Sequence, residues 1–398
     1  MHMKVPESEL ASRLSRFCQR MDASDPDWEI AVFFGKINQY YFSGTMQDGM
    51  LIIPRDGEPV YWIRRSFDRA VAESLFPDIR PMQNFRDAAG DMVSFPKSCH
   101  IEKEIVPVAL LERFRKYFPV TKVSSLDRQI AYVRAEKSSY EIDLMRISGE
   151  IHRHVLEDLV PEILTEGMTE AELGCALHTI LIEEGHHGIV RFSMFENEIV
   201  LGQIAFGENS IAPTYFNGPG GSVGLSAAVP LLGSRHRRLK TGDLVFLDTG
   251  CGYEGYHTDK TVVYQFGAPL PDEAAAAHSV CLDIQERMRS LLRPGVVPSD
   301  IYRMIMGDLA ADHQQNFMGY GKRRVPFLGH GVGLEVDEYP VIAVGFDEPL
   351  REGMAIALEP KIGVSGVGMV GIEDTFLVTP CGGESITGRN PGLIKVGY

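Results

Sequence analysis

Basic residues are in short supply. The 398 residues include 39 Lys and Arg against 54 Asp and Glu, a formal charge of −15. Such a balance argues against nucleic acid or an anionic membrane as partner, since both would repel it. No apolar run approaches the ~20 residues needed to span a bilayer. The N-terminal MHMKVPESELASRL lacks the basic start and apolar core of a secretory leader. The six cysteines (18, 99, 175, 251, 281 and 381) show no CxxC spacing and read as reduced thiols of a cytoplasmic protein. A phosphate loop is missing too. The run Asn217-Gly218-Pro219-Gly220-Gly221 has no GKS or GKT and no strand-to-helix context, so it reads as the rim of a cleft.

What is present is an ordinary globular composition, 44% apolar and 23% charged, long enough for two domains. Residues 28–130 read as a mixed domain of short β-rich runs (IAVFFG, QYYFSG, MLIIP, VYWIR), with a hairpin turn at Asp56-Gly57 and a helix in VALLERFRKYF. This part carries no catalytic cluster and reads as a scaffold or oligomer-forming domain. The boundary falls at RAEKSSYE, giving domains 1–134 and 135–398. Ser138 and Glu141 form a capping box before an amphipathic helix, and Thr169 and Glu172 form another. The stretch 164–181 also resembles 292–309, pairing Gly167 with Gly295. Each copy leads to a carboxylate-bearing hairpin, which suggests two pseudo-symmetric halves facing one cleft.

The first hairpin is VFLDTGCGYEGYHTDKTVV, 245–263. With Tyr253 and Glu254 at its tip, Asp248 lies opposite Asp259, about 4.5–5.5 Å apart. Two bare carboxylates that close need a proton, a basic partner or a cation. The second hairpin spans 354–379 and places Glu359 and Glu373 either side of Gly366. Between the two lies GHGVGLEVDEYP, where Gly329 and Gly331 are expected to leave room for a ligand beside His330. Carboxylates with one imidazole suit a pair of divalent ions such as manganese, cobalt, iron or zinc. Such ions sit about 3.5–4 Å apart, share bridging carboxylates and activate a water.

VFLDTG, HTDKT, GHGVGLEVDEYP, ALEP and GIEDTFLVT, in that order, resemble the metal motifs of the pita-bread metallopeptidase family. That family contains methionine aminopeptidases, Xaa-Pro aminopeptidases, prolidases and creatinase. NQYYFSG, LIIPRDGEPVYWIR and IEKE are similar to the N-terminal domain of its creatinase, prolidase and Xaa-Pro aminopeptidase branch, so the resemblance covers nearly the whole chain. It implies an α/β (α+β) fold, with a creatinase-like mixed domain followed by a pseudo-twofold pita-bread catalytic domain. It further implies a homodimer and two divalent metal ions, manganese foremost. By the same resemblance Asp248 holds one ion, His330 and Glu359 hold the other, and Asp259 and Glu373 bridge them. Glu359 also takes a proton from the attacking water. Thr261 and Thr375 are expected to orient the bridging carboxylates or to be ordinary strand threonines.

Two departures from the family bear on substrate. Asp337 stands where it usually has the histidine of HE-x-P, and Thr214 where a proline-histidine pair is usual. In the peptidases those histidines contact the scissile peptide. Thr214, Tyr215, Asp337 and Glu338 are therefore the candidate substrate-binding residues, with Glu359, His330 and Asp337 as the catalytic set. Tyr215, His186, His187 and Arg191 are candidates to substitute for the missing donors, although His186-His187 also reads as an exposed turn pair. The leading expectation is a dinuclear-metal hydrolase of the Xaa-Pro aminopeptidase or dipeptidase type acting on a small peptide. The alternatives are a metal enzyme acting on a small non-peptide molecule, cationic or not, or a non-catalytic binding protein.

Overall fold

The computed structural model describes residues 3–92, 94–194, 199–388 and 391–397. The chain forms two compact units, Met1–Arg134 and Ala135–Tyr398. The strands of the first unit are β1 (Ile30–Phe33), β2 (Gly49–Pro54), β3 (Val60–Ile63), β4 (Ile79–Pro81), β5 (Ser98–Ile101) and β6 (Lys122–Ser125). They form one mixed sheet in the order β4-β3-β2-β1-β5-β6. The Asp56-Gly57 turn joins antiparallel β2 and β3 as expected. The run QYYFSG, however, is not a strand. Lys36–Ser43 is a helix that buries Asn38, Gln39, Tyr41 and Phe42, a helical spacing. Gly44 ends it at φ 72°, in the left-handed conformation that glycine adopts without penalty.

The second unit is built from two like halves. In the first, the Ser138 and Thr169 capping boxes open helices Ser139–Arg153 and Glu170–Glu183 as expected. These helices precede β7 (Gly202–Phe206), β8 (Leu244–Tyr253) and β9 (Tyr256–Phe266). In the second half, helices Asp272–Leu291 and Pro298–Asp308 precede a small ribbon, β10 (Gly319–Tyr320) and β11 (Arg323–Arg324). There follow β12 (Phe327–Gly331), β13 (Glu338–Ala343), β14 (Ala355–Leu358), β15 (Lys361–Val364), β16 (Gly368–Gly371), β17 (Asp374–Thr379), β18 (Gly382–Ser385) and β19 (Ile394–Val396). The larger sheets run β19-β9-β8-β7 and β13-β12-β14-β17-β18.

The repeat seen in the sequence has a structural counterpart. Gly167 and Gly295 both sit at positive φ, 86° and 91°. Gly167 N–H donates to Leu239 O, and Leu239 N–H donates back to Met168 O. Gly295 N–H donates to Leu350 O, and Leu350 N–H donates back to Val296 O. Each leucine precedes its carboxylate strand by the same interval, 239 to 244 and 350 to 355. One core gathers around Leu173, Leu177, Leu247 and Val262, the other around Cys281, Ile301, Ile356 and Phe376, joined by Leu244, Phe246 and Val263 from β8 and β9.

Candidate active site

Strands β8 and β9 pair antiparallel from Leu244↔Gln265 to Tyr253↔Tyr256. Their two-residue turn is Glu254-Gly255, both at positive φ (46° and 95°), the backbone a tight twisted hairpin turn requires. That is one residue further along than the Tyr253-Glu254 tip expected from the sequence, and it moves the register by two. Asp248 therefore faces Thr261, and Asp259 faces Gly250. Because side chains alternate with period two, both aspartates stay on one face, but as diagonal neighbours rather than an opposed pair. In the second hairpin the pairings Leu358↔Asp374 and Lys361↔Gly371 share a register centred on Gly366, as expected.

The hairpins are stitched together along β9 and β17. Thr261 N–H donates to Glu373 O at 3.1 Å, and Glu373 N–H donates back at 3.4 Å. The Thr375 hydroxyl accepts from Asp259 N–H and donates to Asp259 O, each at 2.9 Å. These contacts bring Asp248, Asp259 and Glu373 together. The Thr261 hydroxyl lies 2.8 Å from Asp248 Oδ1 and 3.1 Å from Glu373 Oε2, so it orients carboxylates. Thr375 instead grips the Asp259 backbone. A separate buried network joins Lys260 to Asp374 (2.6 Å) and Glu157 (3.1 Å).

His330 enters from β12, whose pairing with β13 is irregular on both sides of it, and such bulges re-aim a side chain. Its Nδ1 lies 3.1 Å from Gly331 O, so in the neutral ring, with the proton placed there, Nε2 is left as a lone pair. Nε2 lies 3.6 Å from Glu359 Oε1, 3.6 Å from Glu373 Oε1 and 3.8 Å from Asp259 Oδ2. Gly329 and Gly331 do not make ligand space. A Cβ on either would come within 2.2 Å of a carbonyl on the neighbouring strand, Ala357 O or Tyr339 O, so they are glycines because strands approach closely.

A residue missed in the sequence completes the cluster. Lys361 is fully buried, and its ammonium meets Glu373 Oε2 at 2.7 Å, Glu359 Oε2 at 3.0 Å and Asp248 Oδ2 at 3.2 Å. Burial opposes its charge, but Asp248, Glu359 and Glu373 hold its pKa well above the ordinary lysine value. Burial, against the pull of Lys361, pushes Asp248 up to about 6 and Glu359 up to about 7. Burial and the neighbouring Glu373 push Asp259 well above the usual carboxylate range. Burial would raise Glu373 as well, but Lys361 and His330 hold it below that range. His330, despite burial, is pushed up to about 10 by Glu373, Glu359 and Asp259.

Whether this cluster fits metal can be tested on its geometry. Ligand atoms of Asp259, His330 and Glu373 all lie within 4.8 Å of one another. Glu373 Oε1 is buried without a hydrogen-bond donor, and separations of 3.6–3.8 Å about His330 Nε2 are too long for hydrogen bonds. That side fits one cation. The other side, between Asp248, Glu359 and Glu373, is filled by the Lys361 ammonium and does not fit a second.

The outer residues behave differently from expectation. Asp337 Oδ1 accepts from Ser193 N–H (2.6 Å) and Oδ2 from the Ser193 hydroxyl (2.8 Å), so its carboxylate anchors a neighbouring loop. Burial, against those bonds, pushes it up to about 6. Glu338 pairs with Lys137 at 3.1 Å. The Thr214 hydroxyl accepts locally from Phe216 N–H, and Tyr215 is half exposed. Among the described contacts none joins Thr214 or Tyr215 to the carboxylate cluster. His186 is not an exposed turn residue: it is buried, and its Nδ1 accepts from Gly252 N–H at 2.9 Å. His187 Nδ1 accepts from Gly255 N–H at 3.2 Å, so the pair braces the β8–β9 turn. His257 Nε2 accepts from Arg191 N–H, steadying the segment that leads to Ser193.

Two stitched hairpins presenting buried carboxylates and an imidazole around a cation position define a metallohydrolase-type centre. A model of metallopeptidase family M24 matches residues 143–380, and one of the creatinase/prolidase N-terminal domain matches residues 13–135. The chain thus belongs to metallopeptidase family M24, in its creatinase and prolidase branch. The Xaa-Pro dipeptidase of Pyrococcus furiosus is 27% identical over 381 residues, covering 95% of this chain and 98% of that protein. A crystal structure of the prolidase from Pyrococcus horikoshii OT3 superposes with a TM-score of 0.78 at 23% identity, over 96% of this chain and 100% of that one. A dipeptidase structure from Mycobacterium ulcerans gives 0.80 at 23% identity, over 99% and 100%. These two likenesses speak to the fold.

Proposed function

We propose that this chain is a Xaa-Pro aminopeptidase or dipeptidase acting on small peptides in the cytoplasm, as a homodimer, with manganese as the first choice of ion. The observation that carries this reading is the convergence of Asp248, Asp259, His330, Glu359 and Glu373 in one buried cluster. The nearly end-to-end match to a Xaa-Pro dipeptidase supports it. Asp259, His330 and Glu373 are the residues that would hold an ion, with Glu359 beside them. Such an ion supplies Lewis acidity and lowers the pKa of a water. Glu359 is the group to hold the water's proton: Lys361 fixes its Oε2, and its Oε1 faces His330. Thr261 keeps Glu373 aimed at the same point.

A second reading, a small non-peptide molecule as substrate, is favoured by one observation. Asp337, at the position of a peptide-contacting histidine, has both carboxylate oxygens engaged by Ser193. The two readings separate on a panel of Xaa-Pro and Xaa-Ala dipeptides assayed with manganese bound. The peptidase reading expects proline substrates to be cleaved at least ~10-fold faster, through pocket shape around the ring. Equal rates, or no cleavage by protein verified to contain the ion, would transfer the assignment to the non-peptide substrate.

A further inference from the structure

We infer that the Lys361 ammonium permanently takes the place of one of the two ions its family binds, leaving a centre for a single divalent ion held by Asp259, His330 and Glu373. The inference rests on reading the cluster as a metal centre. It concerns ion count rather than substrate, so the dipeptide panel and the test below can fail independently.

The geometry argues it in three steps. An ammonium has three N–H donors, and Lys361 spends them on three different carboxylates, Asp248, Glu359 and Glu373, at 2.7–3.2 Å. The side chain is fully buried, so these contacts are not shared with bulk solvent. A metal between the same oxygens would need to sit about 2.0–2.2 Å from them, in the space the ammonium occupies. Asp248 is thereby spent: its Oδ2 meets Lys361 and its Oδ1 accepts from the Thr261 hydroxyl.

The charge count agrees. Four carboxylates against one ammonium leave three formal negative charges in a buried place, which one divalent ion reduces to one. Glu373 serves both sides, giving Oε2 to Lys361 while its buried Oε1 has no donor and faces His330 Nε2. With its three protons committed, Lys361 has no donor left for substrate. It is a positioning residue, holding Asp248, Glu359 and Glu373 in place as an ion would.

The test is metal stoichiometry. Wild-type protein saturated with manganese, freed of excess ion and analysed for metal should contain one ion per chain. Lys361→Gly, which empties the position and leaves room for an ion, should contain two. It should also gain more thermal stability from manganese than wild type does. Two ions per wild-type chain, or none, overturn the inference, and so does a folded Lys361→Gly that still holds one. If Lys361→Gly does not fold even with manganese, calorimetric titration of wild type decides: a single manganese site supports the inference and a second site overturns it.

Discussion

Thr375→Val is the sharpest probe of how the two hairpins are held together. The Thr375 hydroxyl accepts from Asp259 N–H and donates to Asp259 O, each at 2.9 Å, in a fully buried position. The neighbouring strand gives Asp259 no alternative. Gly250, its partner across the hairpin, sends its own N–H the other way, to Leu201 O. Valine keeps the shape of threonine but strands one buried donor and one buried acceptor. Each such group costs about 1–3 kcal/mol, so the variant should lose about 3 kcal/mol. For a unit of this size that lowers Tm by about 6–12 °C. Thr375→Ser keeps the hydroxyl and should lose only about 1 kcal/mol, for one buried methyl. The assay is thermal and urea unfolding of all three proteins, following the transition of the 135–398 unit because the chain has two units. Manganese affinity should fall in the valine variant too, since the backbone of Asp259, a proposed ligand, has lost its clamp. A valine variant within about 0.5 kcal/mol of wild type, or a serine variant as damaged as the valine one, would refute the stitch.

Two further outcomes concern pH. The Asp337 carboxyl is pushed up to about 6, chiefly by burial. Its contribution to stability is therefore full below its unfolded value of ~4 and fades as pH rises through 6, by about 1 kcal/mol after allowing for partial exposure. Asp337→Asn should flatten that slope between pH ~4 and ~7, and urea midpoints with the same slope as wild type would refute the reading. With a chelator present, Asp248 (about 6), Glu359 (about 7) and His330 (about 10) all bind protons more tightly folded than unfolded. Chelated protein should then lose stability from pH ~5 to ~9, and manganese, which replaces those protons, should shrink or reverse the slope; parallel melting curves with and without manganese would refute it.

How much of this was legible in the sequence depends on how local the cause is. The Ser138 and Thr169 caps and the Asp56-Gly57 turn involve residues at most three apart, and the structure has them as read. That Asp248, Asp259, His330, Glu359 and Glu373 converge was legible through motif order. The hairpin register was not. DTGCGYEGYH offers glycines at 250, 252 and 255, and only the backbone requirement for positive φ at both turn residues selects Glu254-Gly255. QYYFSG misled because a short apolar run shows no clear period, and burial at helical spacing decided it. The Ser193–Asp337 contact spans 144 residues and leaves no local trace. Lys361 did leave a signal. It stands two residues after Glu359, and in an extended chain side chains two apart share a face. A lysine there is bound to meet the carboxylates that Glu359 meets.

That position decides where chemistry is possible. An ammonium and a divalent ion both neutralise buried carboxylates, so either can hold Asp248, Glu359 and Glu373 in one arrangement. They differ in what remains open. An ion keeps coordination positions for water and a substrate carbonyl. Lys361 has three donors, and all three are taken. On the one-ion reading, the Asp248 side of the cluster orients groups and does not activate a water. The open groups are His330 Nε2 and, 3.6–3.8 Å from it, Glu373 Oε1, Glu359 Oε1 and Asp259 Oδ2. On the proposed reading, activation and proton transfer both fall there. A substrate must then be recognised from that side alone, with Asp337 already occupied by Ser193 and unable to serve as the donor that a histidine would be.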